Sequence, residues 1–134
     1  MDPASAYSAF VSIFVVGMLN GSPLVVHGDG TISRDFTYVT NVVEANMRAL
    51  DAEGVGGEAF NVGCGDTMSL NEVIDTLREF TGKEGTVSYG PPRSGDVQQS
   101  MADISKAREM LAYEPGVPVR EGLKRAVLWY GKGK

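Results

Sequence analysis

Two arginines in this chain have the chemistry to grip an anion. Arg34 stands in the run Gly28-Asp29-Gly30-Thr31-Ile32-Ser33-Arg34-Asp35-Phe36-Thr37, and Arg93 stands in Gly90-Pro91-Pro92-Arg93-Ser94-Gly95-Asp96. A planar guanidinium with five fixed donors suits a two-pronged hold on phosphate or carboxylate. Arg93 with Asp96 joins such a donor to an acceptor suited to a sugar diol, a combination that points to a nucleotide-like ligand. Local ion pairs with Asp35 and Asp96 would produce the same sequence, and the pattern by itself leaves both readings open.

Other chemistry lacks material. Cys64 is the single cysteine and His27 the single histidine, which excludes an internal disulfide and a zinc-type ligand set. A Cys64 nucleophile would have only His27 as its base. Gly63-Cys64-Gly65-Asp66-Thr67-Met68 lies between a strand pattern and a helix pattern, as a dinucleotide fingerprint does, but Met68 takes the third glycine's place and no acid ends the strand Thr86–Tyr89. Gly28-Asp29-Gly30-Thr31-Ile32-Ser33 ends in serine and leads into a strand. Tyr130 and Lys134 have the spacing at which one helical turn sets a lysine beside a tyrosine acid/base, yet Gly131 and Gly133 between them oppose a stable turn. No catalytic residue, cofactor-binding residue or metal ligand is therefore assigned.

The elements that position the arginines follow from the pattern. Pro3 opens a first helix over about Ala4 to Leu19, ended by Asn20-Gly21. Leu24 to His27 and Ile32 to Phe36 read as strands on either side of the glycine turn. Asn41 and Glu44 resemble a capping box for a helix from about Val42 to Glu53, with Val42, Val43, Ala45, Met47, Ala49 and Leu50 as a broad apolar face. Ala59-Phe60-Asn61-Val62 is a short strand. Ser69 and Glu72 form an S-x-x-E box ahead of a helix over Leu70 to Thr81, and Gly82 stops it. Thr86 to Tyr89 is a strand, and Pro91-Pro92 puts Arg93 to Asp96 on a loop. Asp103 caps a short helix through Ile104, Ala107 and Leu111, and a final helix follows Pro118.

The 134 residues suit one domain, 1–134, of α/β class, with short strands and about five helices. A chain of this size buries roughly two thirds of its unfolded surface. With a net charge of -5 and no basic cluster, a nucleic-acid partner is not expected. The apolar run Ala6 to Leu19 falls short of the roughly 20 residues of a membrane span, and Met1-Asp2-Pro3 is acidic where a secretory leader is basic. A reducing cytoplasm is the simplest compartment for one unpaired cysteine.

Taken in order, Gly28-Asp29-Gly30, Arg34-Asp35-Phe36-Thr37-Tyr38-Val39, Phe60-Asn61-Val62-Gly63, Ser69-Leu70-Asn71-Glu72, Arg93-Ser94-Gly95-Asp96, Ala102-Asp103-Ile104-Ser105-Lys106-Ala107 and Gly122-Leu123 with Trp129-Tyr130 resemble the carboxy-terminal part of the extended short-chain dehydrogenases, the NAD-dependent nucleotide-sugar epimerases and dehydratases typified by UDP-glucose 4-epimerase. Asp2-Pro3, Ser5 and Tyr7 resemble the loop after that family's catalytic region. The resemblance implies a small substrate-binding domain without a complete Rossmann fold, which closes over a nucleotide diphosphate sugar such as a UDP-sugar. It implies Arg34 and Arg93 on the pyrophosphate, Asp96 on the ribose and Val26 at the wall of the base pocket. The family's glycine-rich NAD loop and catalytic Tyr-x-x-x-Lys have no counterpart here, so NAD belongs to the family and none is expected on this chain, which would not be catalytic alone. Thr40-Asn41 stands where the family usually has acids, and Cys64 where a small hydroxyl residue is common. The rival expectation is a non-catalytic, self-associating module: a homodimer through the apolar first helix, with Phe10 and Phe14 buried between protomers.

Overall fold

The computed structural model describes residues 10–132, which form two compact units, each built from separate stretches of chain. Among the described residues the expected α/β class is present, with five helices where about five were expected. The first unit takes residues up to Ile32, Ser69–Gln98 and the chain from Leu123; the second takes Ser33–Met68 and Gln99–Gly122.

In the first unit, α1 (Phe10–Asn20) packs on α3 (Leu70–Thr81) and also contacts β1 (Leu24–His27), which runs parallel to β4 (Val87–Gly90) in a register that sets Leu24 opposite Val87 and Val26 opposite Tyr89. Because α1 is apolar on every side, its sequence does not reveal which face turns inward. Phe14, Val15 and Met18 are the large apolar side chains it buries, joined by Leu24, Val26, Val73, Ile74 and Leu77. Phe14, expected to be buried between protomers, is instead 3% exposed within its own chain, stacked on Phe10 at 3.9 Å between ring centres. The part of the first helix over 4–9 lies outside the described residues, as do Asp2, Pro3, Ser5, Tyr7 and Lys134.

The S-x-x-E box forms as expected. The Glu72 amide donates to Ser69 Oγ (3.2 Å) and the Ser69 amide to the Glu72 carboxylate (2.7 Å), which holds Glu72 below the ordinary carboxylate value. Inside this helix start, Asn71 ties down the glycine turn. Its amide N–H donates to Gly30 O (3.1 Å), its Nδ2 donates to Asp29 O (3.0 Å), and its Oδ1 accepts from Tyr89 Oη (2.9 Å). Gly30 is at φ +78°, and a Cβ there would collide with the Asn71 side chain, so position 30 needs glycine twice over.

The second unit holds β2 (Ser33–Arg34), paired in parallel with β5 (Gln99–Ser100), together with α2 (Val39–Asp51) and α4 (Ser105–Leu111). β3 (Met68–Ser69) and α5 (Val119–Gly131) are where the chain passes between units. A buried cluster of Ala45, Ile104, Ala107, Leu111 and Tyr113, flanked by Ala49, Ala52, Phe60 and Val62, is its core.

Helix α2 departs from expectation at its start and in its facing. It begins after Tyr38, with no side-chain cap, and Asn41 lies inside it. Instead of capping, the Asn41 side chain is buried, donating to Val117 O (2.8 Å) and accepting from the Val117 amide (3.0 Å); Glu44 pairs with Arg48 (2.7 Å). The alanine side of α2 turns inward, where small side chains let it lie close to α4, and Val43, Met47 and Leu50 remain exposed. Residues 59–62 form no strand, in contrast to the expectation, since no neighbouring strand pairs with them among the described residues. A strand pattern without an edge to bond cannot make a ladder.

Candidate functional site

Within the second unit an open cleft of about 330 Å³ is lined by Arg34, Asp35 and Thr37 from the end of β2, by Asn61 and Val62, and by Ser100–Asp103. This lining sets one cation beside two carboxylates, with hydroxyls, an amide and apolar groups between them, a mixture suited to a polar ligand of modest size. Arg34 Nη1 donates to Ser33 O (2.8 Å), which bends the guanidinium back along its own strand.

Asp35 holds the cleft together. Its Oδ1 accepts from the Cys64 amide (2.8 Å), and its Oδ2 accepts from the amides of Gly65 (2.9 Å) and, more weakly, Ala102 (3.4 Å). Thr37 Oγ1 donates to Oδ1 at 3.3 Å. One carboxylate thereby links the exit of β2, the turn after residue 62 and the segment before α4, three of the stretches that bound the cleft. Gly63 makes this possible: a Cβ there would sit 2.5 Å from Asp35 Oδ2 and 2.7 Å from Ala102 Cβ. The acid beside Arg34 is thus engaged by the backbone amides of Cys64 and Gly65.

The same geometry tests the glycine-rich segment as a dinucleotide loop. In such loops the backbone amides are presented to a pyrophosphate at a helix start. Here the amides of Cys64 and Gly65 already serve Asp35, and the amide at the α3 start serves its own Ser69, so this segment does not fit the group. Cys64 lies beside that carboxylate; burial first, and the Asp35 charge second, push its thiol above its usual value and keep it protonated and unreactive at neutral pH. Burial likewise raises Tyr113, whose hydroxyl donates to Gly63 O (2.8 Å) and supports the turn from below.

The four residues singled out from sequence are divided between the units: Arg34 belongs to the second, and Val26, Arg93 and Asp96 to the first. Arg93 and Asp96 lie on an exposed turn closed by the Asp96 amide donating to Arg93 O (3.3 Å). Val26 is 1% exposed, its side chain in the core, while Val25 turns outward at 52%. Sequence reasoning did not single out Asn61, Ser100 or Asp103 as cleft residues. Asp103 carried a capping signal, and its carboxylate accepts from Ser105 Oγ (2.6 Å) and the Ser105 amide (3.0 Å), which keeps it below the ordinary range. Nothing local marks the other two.

Comparison with known proteins gives this arrangement its context. Residues 2–63 match the model of the NAD dependent epimerase/dehydratase family. The UDP-glucose 4-epimerase of Thermotoga maritima, solved with UDP-glucose, superimposes with a TM-score of 0.91 at 40% identity, over 98% of this chain and 42% of its own. The UDP-glucuronic acid 4-epimerase of Bacillus cereus, solved with UDP-glucuronic acid and NAD, gives 0.88 at 30% identity, over 100% of this chain and 42% of its own. The UDP-glucuronate 4-epimerase of Thermodesulfobacterium geofontis is 34% identical over 128 residues, 95% of this chain and 39% of the relative. The chain thus spans about two fifths of the length of these relatives. It is a homologue of part of the NAD-dependent epimerase/dehydratase family.

Proposed function

We propose that this chain is the nucleotide-sugar-holding part of an NAD-dependent epimerase or dehydratase and performs no chemistry by itself. The observation that carries the reading is the Arg34 cleft, which Arg34 lines beside a carboxylate bonded to the backbone amides of Cys64 and Gly65. In this reading Arg34 and Arg93 are the contacts for the pyrophosphate and Asp96 the contact for the ribose. Charge-assisted bonds from guanidinium to phosphate supply orientation as well as affinity. Val26 contributes to the base pocket through its backbone rather than its buried side chain. Among the described residues β1 has β4 on one side only, and its other edge can offer backbone groups to a planar base.

Relatives solved with UDP-glucose and with UDP-glucuronic acid make a UDP-sugar the ligand class to test. Titration calorimetry of the chain with UDP and UDP-glucose should give heat, and Arg34→Ala should weaken binding by about tenfold or more, the worth of one charge-assisted contact. Wild-type protein that gives no heat at millimolar UDP, or binding that is indifferent to both Arg34→Ala and Arg93→Ala, would remove the reading.

A further inference from the structure

Helix α5 keeps its largest side chain outside. Leu123 and Val127 are buried on its inner side, whereas Leu128 and Trp129 are 57% and 66% exposed on the outer one. Trp129 meets the half-buried Tyr130 edge to face, with 4.7 Å between ring centres, so the indole is propped outward. An exposed leucine needs no explanation by itself, but the chain's only tryptophan beside it does.

Cations surround this pair. Lys124 and Arg125 are exposed and stand one helical turn before Leu128 and Trp129, which makes them neighbours on the surface. Lys132, also exposed, follows in the closing turn, its amide donating to Trp129 O (3.3 Å). Residues 122–132 contain no acid, although acids outnumber bases 17 to 12 in the whole chain. All five side chains belong to the first unit. The apolar stripe of α2, in the second unit, has no such ring: its one cation, Arg48, is bonded to Glu44 and to Ala112 O.

We infer that the outer face of α5 docks on an anionic lipid surface, with Leu128 and Trp129 entering the headgroup layer and Lys124, Arg125 and Lys132 meeting lipid phosphates. An indole has an apolar body and a polar N–H and suits the level of a bilayer where one end is dry and the other wet. Long basic side chains lay their stems along the same apolar surface and keep their charges among the phosphates. Magnitude separates this occupant from a protein partner. Two apolar side chains make too small a patch for a stable protein interface, which covers about 800 Å² on each side. A charged bilayer needs no matched surface, and each cation held near it strengthens binding about fivefold. The helix lies on the membrane, since no described helix is long and apolar enough to cross one. The acids elsewhere on a chain of net charge -5 confine the contact to this face and make it sensitive to salt. The inference is independent of what the Arg34 cleft binds.

As the only tryptophan, Trp129 reports the contact by its own emission. The full chain titrated with vesicles of phosphatidylcholine and phosphatidylglycerol in equal parts should shift that emission to the blue and sediment with the vesicles, and phosphatidylcholine alone should do neither. The combined variant Lys124→Gln/Arg125→Gln/Lys132→Gln should weaken binding about 100-fold, the product of three fivefold factors, and Leu128→Ser/Trp129→Ser at least about tenfold by sedimentation. Circular dichroism and thermal melts check that both variants stay folded, and release of the wild-type chain by added salt tests the charge contact without any mutation. Met47→Glu/Leu50→Glu on α2 should leave vesicle binding unchanged. No shift with anionic vesicles, equal binding to neutral ones, or indifference to the three glutamines overturns the inference. Loss of binding in the α2 variant also overturns it, because the vesicle contact then belongs to the α2 stripe. A blue shift that grows with protein concentration in the absence of lipid gives the face to a second copy, and one produced by polyglutamate but not by vesicles gives it to an acidic protein segment; either result overturns the lipid contact.

Discussion

Helices α1 and α2 carry similar raw material and use it in opposite ways. α1 is apolar all round, and its chain buries Phe14, Val15 and Met18 against α3. α2 is amphipathic, yet it turns Asn41 and its alanines inward and leaves Val43, Met47 and Leu50 outside. Hydrophobicity therefore does not measure how available a surface is. The more apolar helix is a core element, and the less apolar one carries the open face. Close approach to α4 favours small residues on the inner side of α2, and the Val117 backbone rewards a polar one.

Mutation can break this contrast. Phe14→Ala in α1 should cost about 3–5 kcal/mol in urea unfolding, as a large core side chain removed without collapse does, whereas Leu50→Ala in α2 should stay within about 0.5 kcal/mol. Equal losses at the two sites would end the comparison. Asn41→Ala strands the buried N–H and C=O of Val117 and should cost about 2 kcal/mol, more than any single change on the outer face of the same helix, read by the same denaturant titration. The smallest effect concerns pH. Glu72 sits below its ordinary value of 4.5 because the Ser69 amide and hydroxyl donate to it, so its contribution is present above pH 4.5 and is lost as pH falls through the folded-state value. Thermal melts of Glu72→Gln should lie slightly below wild type at pH 7, by roughly a few tenths of a kcal/mol after solvent screening, and the two should converge in acid. A gap that widened in acid would show that Glu72 acts through something other than its cap.

The sequence was most legible where a local rule acts alone. Ser69 with Glu72 places the start of α3, and Gly82 its end, because both signals are contained in the helix. It was least legible where a distant partner decides. Asn41 and Glu44 have capping-box spacing, but residue 117 claims Asn41 and moves the helix start to Val39. The 59–62 pattern is that of a strand, and a ladder depends on a neighbour that no period within the segment can supply. Around Arg34, the Gly63 and Asp35 pattern was visible as spelling, while its meaning required the amides of 64, 65 and 102 to converge on one carboxylate. β5 has no local signature, and of the cleft residues beside it only Asp103 carried one, as a cap.

The pairing of Asn41 with Val117 also bears on the order of folding. The two are 76 positions apart, and between them the chain leaves the second unit to build α3 and β4 before returning. Closing a loop of that length costs about 4 kcal/mol of chain entropy before any contact repays it. The first unit's α3 and its glycine turn draw on nearer neighbours. During synthesis, then, the inner face of α2 must wait for residue 117 to be made. Until it arrives, both faces of that helix are bare, and this is the interval in which the nascent chain is most in need of a partner.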